Sequence, residues 1–196
     1  MNPFVPGYYN EHDLEAVGFK ALGHNVQIAK NCTIIGPEKI AIGDNVRIDG
    51  YTTILASRDG WLELGSYIHI GAYCFLGAAG GIRMEDFTTI SQGVKIYSGT
   101  DDYSGMYLIS PIAPREYTGV TLGTVTLHRH VLVGSGTVIL PKLSIGEGSS
   151  VGAMSFVKKS LEPWGIYAGC PVRRLKERSK NLLKLEAKLR EDKSQM

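Results

Sequence analysis

The residues best suited to chemistry lie in one irregular segment, residues 97–126. The segment combines acids, tyrosines and an arginine: Asp101, Asp102, Tyr103, Tyr107, Arg115, Glu116 and Tyr117. Carboxylates and a guanidinium bind hydroxyl groups, and aromatic side chains pack against rings, so this set suits a polar, ring-shaped ligand with hydroxyls. A long irregular segment inside a regular fold usually forms a site, and the alternative is a solvated excursion without a ligand.

Three histidines are further candidates for a base or a metal site. His69 stands in the stretch YIHIGAY, where it points away from the predicted core and is a candidate general base. A lone histidine is more often structural or interfacial, and that alternative stays open. His128 and His130 are two residues apart, which predicts one shared face of a strand. We predict no metal site.

These candidates are set in a six-residue repeat. From Leu127 onwards the blocks read LHRHVL, VGSGTV, ILPKLS, IGEGSS, VGAMSF and VKKSLE. Each block opens with an aliphatic residue, and the fifth place is small at Thr137, Ser149 and Ser155. A period of six indicates a short strand, a corner and a repeat, with the opening aliphatic stacked inward on its equivalent one coil away. The pattern predicts a parallel β-helix.

The same register extends through the first half of the chain. Its aliphatic positions are Ile28, Ile34, Ile40, Ile42, Ile48, Ile54, Leu64, Ile70, Leu76, Ile82, Met84, Ile90 and Ile96. Two slips of two residues keep the side chains on one face of a strand, and an outward loop interrupts the register at residues 57–61. Three blocks per turn give about six turns. An ordinary antiparallel β protein is the disfavoured alternative, because the register persists over most of the chain.

The sequence divides into three parts. Residues 1–24 are predicted to cap the open end of the solenoid, with a short helix through Glu11–Phe19 that Asn10 caps. Residues 25–171 form the β-helix, including the excursion loop at residues 97–126. Residues 172–196 are predicted to be a C-terminal helix. Its apolar seam, with a spacing of seven, consists of Leu175, Leu182 and Leu189, with Leu185 between them.

Composition excludes several classes of partner. A net charge of +2 among 196 residues gives no electrostatic reason to expect nucleic acid or a membrane surface. No apolar stretch approaches the about 20 residues of a membrane span, and the N-terminus does not read as a signal peptide. The three cysteines show no metal-type spacing, and Cys32 and Cys74 fall at the small fifth place of their blocks. We therefore expect reduced core thiols in a cytoplasmic protein.

The hexads, the interrupting loop and the closing stretch IYAGCPVRRL together resemble the hexapeptide-repeat acyltransferases. The resemblance covers about Ile28 to Leu175. Within it, LGSYIHIGAY and the block at residues 125–173 are similar to the galactoside and maltose acetyltransferase branch. The loop SGTDDYSG with the later APREYTGV is similar to N-acyltransferases of nucleotide-linked amino sugars, which make 4-acylamido-4,6-dideoxy sugars for surface polysaccharides.

This resemblance implies an all-β fold, a left-handed parallel β-helix with a helical N-terminal cap, an excursion loop and a C-terminal helix. It also implies a homotrimer with active sites between neighbouring solenoids, and acetyl-CoA as acyl donor. Small residues let the pantetheine arm lie against the backbone, and the family's positions match Gly134, Ser135, Gly136, Gly152 and Ala153. Cationic partners for the CoA phosphates are Lys158, Lys159, Arg173 and Arg174. Alternatively, the small residues are required only by the geometry of the corners, and the cationic side chains are exposed without a binding role.

The catalytic position departs from the galactoside and maltose enzymes, which carry a histidine at the start of the excursion loop. Here that place reads Gly99-Thr100-Asp101-Asp102, and residues 97–127 contain no histidine. A hydroxyl acceptor needs a positioned base, whereas a neutral amine needs only orientation and a proton acceptor. We therefore expect an amine acceptor, held by Asp101 or Asp102, with backbone N–H groups near Ser135 stabilising the oxyanion. His69 is the backup base.

The remaining loop residues are candidate substrate contacts, or they pack the loop onto a neighbouring subunit. Tyr103, Tyr107 and Tyr117 would stack on a nucleobase or sugar face, Arg115 would bind a diphosphate, and Glu116 would bind sugar hydroxyls. Three other functions stay open. They are a sugar O-acetyltransferase with His69 as base, a metal-dependent hydratase like the carbonic-anhydrase relatives of this fold, and a non-catalytic scaffold. The hydratases use three zinc-binding histidines, two of them five residues apart, and that spacing is absent here.

Overall fold

Short parallel strands dominate the chain, as the six-residue repeat predicts. The structure is a computed structural model that describes residues 6–110 and 112–194. Twenty of the strands, numbered β1–β22 along the chain, form three sheets that are the three sides of a solenoid. The first sheet contains β1 (Ala21–Leu22), β4 (Ile40–Ile42), β7 (Leu62–Leu64), β10 (Ile82–Met84), β15 (Val125–Leu127) and β18 (Leu143–Ile145).

The second sheet contains β2 (Gln27–Ile28), β5 (Val46–Ile48), β8 (Ile68–Ile70), β11 (Thr89–Ile90), β16 (Leu132–Val133), β19 (Ser150–Val151), β21 (Gly165–Gly169) and β22 (Val172–Glu177). The third contains β3 (Thr33–Ile35), β6 (Thr53–Leu55), β9 (Phe75–Gly77), β12 (Lys95–Tyr97), β17 (Val138–Ile139) and β20 (Phe156–Val157). Seven parallel strands in the second sheet mean about seven turns, one more than the repeat count predicts. The β-helix prediction is confirmed.

The core is a stack of aliphatic side chains from successive coils. The parallel register pairs Ile48 with Ile70, Ile70 with Ile90, and Ile90 with Val133. Each of these four side chains is fully buried, at 0% exposure. The slips of the register place both Ile82 and Met84 in the core, because they are the two ends of one strand and face the same side.

The small fifth-place residues are buried at the corners and satisfy the backbone there. The Thr137 hydroxyl donates to the Gly152 carbonyl at 3.1 Å, and the Ser155 hydroxyl donates to the same oxygen at 2.7 Å. Cys74 is buried and free, and burial raises the pKa of its thiol to about 11. A thiol that stays protonated at neutral pH is a poor nucleophile, so Cys74 is a core residue.

Removing a stacked aliphatic is expected to destabilise the solenoid. Ile90→Ala leaves a cavity between two coils and is expected to lower the free energy of unfolding by about 2 to 5 kcal/mol. Ile35→Ala, at a side chain that is 50% exposed, is the matched control and should change it by less than about 1 kcal/mol. Urea denaturation followed by circular dichroism measures both, and equal losses would contradict the stacked core.

The N-terminal helix is shorter than predicted. Helix α1 spans Glu11–Glu15 and ends before Phe19. Asn10 caps it in a capping box with Asp13, as expected: the Asp13 N–H donates to the Asn10 side chain at 2.8 Å. Leu14 is buried in the same cluster as the solenoid core, so the helix covers the open end.

The C-terminal helix begins later than predicted and docks differently. Residues Val172–Glu177 form strand β22, which pairs antiparallel with β21, and helix α2 spans Asn181–Ser194. Leu175 therefore lies on the strand, 63% exposed, and belongs to no helical seam. The only α2 side chain that is buried, among those described, is Glu186. No described helix is long and apolar enough to span a membrane.

The excursion loop leaves the solenoid after Tyr97 and returns at Val125. It ends before the predicted boundary at residue 126, because strand β15 already starts at Val125. Two strands close its neck: β13 (Gly99–Thr100) pairs antiparallel with β14 (Thr121–Leu122). Short 3₁₀ turns lie at Pro37–Lys39 and, inside the loop, at Arg115–Tyr117.

Candidate active site

A cleft of about 570 Å³ lies between the excursion loop and the short loop at residues 57–61. Four charged residues line it: Arg58, Asp59, Asp101 and Arg115. The structure thus brings together two predicted residues, Asp101 and Arg115, with two residues that the sequence analysis missed. The charged loop that interrupts the hexad register was the available signal for Arg58 and Asp59.

The neck of the excursion loop positions Asp101, which follows β13 directly. A Cβ on Gly99 would lie 2.8 Å from a methyl carbon of Leu122, so the two strands of the neck are closely packed. Asp101 lines both this cleft and a smaller one of about 250 Å³ beside Phe75 and Tyr97. A carboxylate at this place can hold a cationic or amine group of a ligand in the cleft.

Asp102 has a different role from Asp101. Its carboxylate accepts hydrogen bonds from the Ser104 hydroxyl at 2.8 Å, the Gly105 N–H at 2.9 Å and the Met106 N–H at 3.1 Å. These bonds hold the pKa of the Asp102 carboxyl below its ordinary value, with the Ser104 hydroxyl as the largest cause. Asp102 therefore stabilises the turn of its own loop, which leaves Asp101 as the aspartate that lines the cleft.

The aromatic candidates of the loop do not converge on one surface within a single chain. Tyr103 is 93% exposed. The ring of Tyr107 packs on Gly119, where a Cβ would lie 2.4 Å from the ring. Tyr117 and Glu116 are exposed members of the 3₁₀ turn that also contains Arg115. Of the predicted substrate contacts, Arg115 alone lines the cleft.

The predicted cofactor residues lie in a column of small residues along the second sheet. Gly134 and Gly152 follow equivalent core positions in successive coils, and a Cβ on Gly134 would lie 2.5 Å from the Ala153 nitrogen. Ser135 and Gly136 belong to the Gly134 coil, and the Ser135 hydroxyl donates to the Gln92 side-chain oxygen at 3.3 Å. The column presents backbone with little side chain, which an extended arm needs for close approach.

The column ends near one predicted cation. A Cβ on Gly152 would lie 3.0 Å from the Ala168 Cβ, and Ala168 pairs with Arg173 across the β21–β22 hairpin. Arg173 therefore lies at the end of the column. The adjacent Arg174 donates to Glu177 at 2.7 Å.

Lys158 and Lys159 are exposed and follow strand β20 of the third sheet. Within one chain they lie off the second sheet, which carries the column. They therefore do not complete one cofactor surface with Arg173 in a single chain.

His69 is held by a carboxylate. Its Nε2 lies 2.8 Å from Asp49 Oδ2, and the same carboxylate accepts from Arg47 at 2.7 Å and from the Tyr8 hydroxyl at 3.0 Å. Burial alone would raise the pKa of Asp49, but the hydrogen bonds from His69 and Arg47 hold it below its ordinary value. The cluster ties the N-terminal segment to the second sheet.

The expectation that His128 and His130 share a strand face is wrong. Both follow the end of β15, and His130 has a φ of +62°, which turns the chain at a corner. His128 Nδ1 lies 3.1 Å from Glu85, whereas His130 Nε2 lies 2.7 Å from Glu186 of α2. Among residues 6–110 and 112–194, no three histidine, cysteine or acidic side chains cluster as metal ligands would.

Known proteins resemble this chain along nearly its whole length. No family model matches the sequence. The dTDP-4-amino-4,6-dideoxy-D-glucose acyltransferase of Escherichia coli is 38% identical over 180 residues, which are 92% of this chain and 93% of the relative.

Solved structures show the same likeness. AntD, an N-acyltransferase from Bacillus cereus in complex with dTDP and 3-hydroxybutyryl-CoA, superposes with a TM-score of 0.92 at 40% identity, covering 97% of this chain and 100% of that chain. A serine-to-cysteine variant of AntD, bound to dTDP-4-amino-4,6-dideoxyglucose and coenzyme A, gives a TM-score of 0.90 at 41% identity, covering 95% and 98%. The chain has the β-helix and the glycine column, and it is similar over nearly its full length to these acyltransferases. It therefore belongs to the hexapeptide-repeat acyltransferases, in the branch of the nucleotide-linked amino-sugar N-acyltransferases.

Proposed function

We propose that this protein transfers an acyl group from acyl-CoA to the amino group of a dTDP-linked 4-amino-4,6-dideoxyhexose. The observation that carries the proposal is the nearly full-length likeness to acyltransferases with that acceptor. The acyl group is acetyl by resemblance to the wider family. The 3-hydroxybutyryl-CoA bound to AntD makes a longer hydroxyacyl group the second candidate.

The chemistry follows from an amine acceptor and an aspartate in the cleft. The neutral amine attacks the thioester carbon, a C–N bond forms, and the tetrahedral intermediate collapses as the C–S bond breaks. Asp101 holds the amine and accepts its proton, which then passes to the departing thiolate of CoA. The backbone N–H of Ser135 is the donor proposed for the oxyanion, because the N–H groups of Gly134 and Gly136 donate to the carbonyls of Val151 and Gln92.

The spacing of the residues varied in AntD supports this role of Asp101. The AntD variants change a serine and an aspartate that lie ten residues apart. Ser91 and Asp101 have the same spacing, and no other serine in this chain precedes an aspartate by that distance. Ser91 stacks directly below Gly134, since its N–H donates to the Val133 carbonyl at 2.8 Å. Ser91 therefore stands at the start of the proposed pantetheine column.

A homotrimer would complete this site. Asp101 lies on the side of the third sheet, whereas Ser91 and the glycine column follow strands of the second sheet. The excursion loop exposes large apolar side chains, among them Met106 at 79%, Ile109 at 67% and Ile112 at 92%. Such a cluster is typical of a surface that another chain covers. We infer that the loop of one subunit covers the second sheet of the next and carries Asp101 towards its Ser91.

The proposed substrates also suggest where the protein acts. Acyl-CoA and nucleotide sugars are supplied in the cytoplasm, and the free cysteines Cys32, Cys74 and Cys170 agree with a reducing compartment. We therefore propose a cytoplasmic enzyme of surface polysaccharide synthesis.

Sugar O-acetylation is the second candidate, and one observation favours it. The contact between His69 and Asp49 is the arrangement that orients a histidine base. Against it, Asp49 is shared with Arg47 and Tyr8, which is the pattern of a structural cluster.

An assay of CoA release with matched acceptors tests the proposal. Purified protein would be offered acetyl-CoA or 3-hydroxybutyryl-CoA with hexoses that carry either an amine or a hydroxyl at C4, free and as dTDP conjugates. Release with the dTDP amino sugar alone is the expected result. Release with the hydroxyl sugar would overturn the amine proposal and favour His69 as base.

The position of Arg173 leads to a prediction for CoA binding. Arg173→Ala removes a cation at the end of the glycine column and is expected to weaken CoA binding by about 10- to 100-fold, the range for a charge-assisted hydrogen bond. Arg174→Ala is the control, since Arg174 pairs with Glu177, and should change the Kd for CoA by less than about threefold. Titration calorimetry measures both Kd values. Equal losses of CoA affinity in the two variants would contradict a specific contact between Arg173 and CoA.

A further inference from the structure

An exposed stack of aromatic rings follows one corner of the solenoid and stops abruptly. The rings of Tyr51 and Tyr73 are parallel within 6°, with centroids 4.9 Å apart, yet the side chains are 60% and 63% exposed. Both residues have a φ near +60°, a backbone conformation that bulky residues rarely adopt. Other corners of the solenoid use the same left-handed conformation, for example at Tyr67 and Phe87, so the backbone here only turns the corner, and the exposed ring stack is the unusual feature.

The next positions of the same corner carry no ring. The backbone ladder continues from Tyr73 to Gly93, Gly136 and Met154, because the N–H of each donates to the preceding coil at 2.8 to 3.1 Å. A Cβ on Gly93 would meet nothing closer than 3.8 Å, so the space beside the open face of Tyr73 is empty. On the side of the gap opposite Tyr73, the Met154 sulfur lies over Gly136: a Cβ on Gly136 would be only 2.5 Å from this sulfur.

The gap has the size and chemistry for one flat heterocycle. Coils repeat at about 4.8 Å, so a ring above Gly93 would continue the spacing of the two tyrosines, with Met154 on its other face. The edge of the gap carries the exposed amide of Gln92, which contacts Ser135. An amide presents one donor and one acceptor side by side, which matches the N–H and C=O edge of a thymine base.

We propose that Tyr73 is the stacking platform for the thymine base of the nucleotide sugar, with Gln92 reading the edge of the base. The proposal rests on the proposed function, since it takes the dTDP group as the occupant. Gln92 directly follows Ser91, so the base would bind next to the proposed reacting centre. Tyr51 supports the platform from behind. The proposed donor column of Gly134 and Gly152 adjoins this gap at Ser135 and Gly136, and the Tyr73 ring lies on the side of the gap away from Gly136.

Calorimetric titration of the full-length protein with dTDP, and separately with CoA, tests the proposal. Tyr73→Ala is expected to weaken dTDP binding by about 5- to 100-fold, the effect of one base–aromatic stack, and to leave CoA binding unchanged. Tyr73→Phe keeps the ring and should bind dTDP within about twofold of the wild type. Tyr9→Ala, at an exposed tyrosine of the N-terminal segment, is the surface control.

A second variant fills the gap and preserves the turn. Gly93→Asn retains a residue type that the chain already uses at left-handed corners, at Asn25 and Asn45, and places a side chain where the base would stack. It should lose dTDP binding by at least tenfold, with an unchanged melting temperature.

The outcomes separate the two proposals. Unchanged dTDP binding by Tyr73→Ala would overturn the platform and leave the proposed function standing. A Tyr73→Ala defect seen with the amino-sugar conjugate and not with dTDP would also overturn it, because the sugar would then be the stacked ring. Failure of the wild-type protein to bind dTDP would overturn the proposed function itself.

Discussion

Asp101→Asn is expected to lower kcat by about 100- to 10,000-fold, the contribution of a positioned proton acceptor. The asparagine keeps the size and the hydrogen-bonding oxygen of the side chain, but it accepts no proton from the attacking amine. The Kd values for dTDP and CoA should stay within about threefold, because neither ligand carries the sugar amine that Asp101 is proposed to hold. Steady-state CoA release and calorimetric titration together separate the two effects.

The adjacent aspartate is the matched control for this experiment. Asp102→Asn keeps an oxygen that accepts from Ser104, Gly105 and Met106, so the turn should persist and kcat should fall by less than about tenfold. A larger loss for Asp102→Asn than for Asp101→Asn would reverse the assignment. Full turnover by Asp101→Asn would mean that the amine passes its proton to solvent without a protein acceptor.

Glu186→Ala is expected to detach helix α2 from the solenoid. Glu186 and His130 are 8% and 6% exposed at the side chain, and Glu186 also accepts from Arg129 and, at 2.8 Å, from Arg190. Removing one member of a buried, charge-assisted pair costs about 3 to 5 kcal/mol, because the buried His130 side chain loses its partner. The other described side chains of α2 are exposed or half-buried, and one of them, Arg190, lies 5.8 Å from the centroid of the Phe87 ring and 3.9 Å from Asp86. Hydrogen exchange should show lost protection across residues 181–194.

The same contact makes docking sensitive to acid. Burial alone would raise the pKa of Glu186, but hydrogen bonds from Arg190 and His130 hold it below its ordinary value. A lowered pKa in the docked state means that the stabilisation is complete at neutral pH and is lost as the pH falls below about 4. Lys188→Ala, at an exposed position of the same helix, should leave protection and its pH dependence unchanged. Retained protection in Glu186→Ala would show that other contacts, such as those of Arg190 with Phe87 and Asp86, hold the helix.

The solenoid was predictable because its determinants are local and repeated. Each aliphatic at a hexad start faces the core for the same reason, so Ile48, Ile70 and Ile90 could be assigned from spacing alone. The small fifth places, such as Thr137, followed from the space at a corner. The excursion loop was visible as a failure of the period, and its acids identified the region of the cleft.

The limits of the two terminal helices were less predictable than the solenoid, because helix and strand patterns overlap in the sequence at its ends. Strand β22 was not predicted. Its six residues are mostly charged and show little alternation of apolar and polar side chains, whereas the leucines spaced by seven residues favour a helix. Docking of α2 depends on Glu186, a residue type that is exposed on most helices and is buried here because His130 and Arg129 meet it.

The β-helix, its core and the segment that carries the candidate chemistry were predictable from the sequence, because each rests on patterns between residues close in the chain. The folded chain was needed to show which aspartate lines the cleft, since the Asp102 carboxylate is hydrogen-bonded within its own turn. It also decided what faces Asp101, since Arg58 lies on another coil more than forty residues away. The stacking of Tyr73 above an empty Gly93 likewise exists only once coils lie on one another, because their spacing in the chain, twenty residues, carries no local signal.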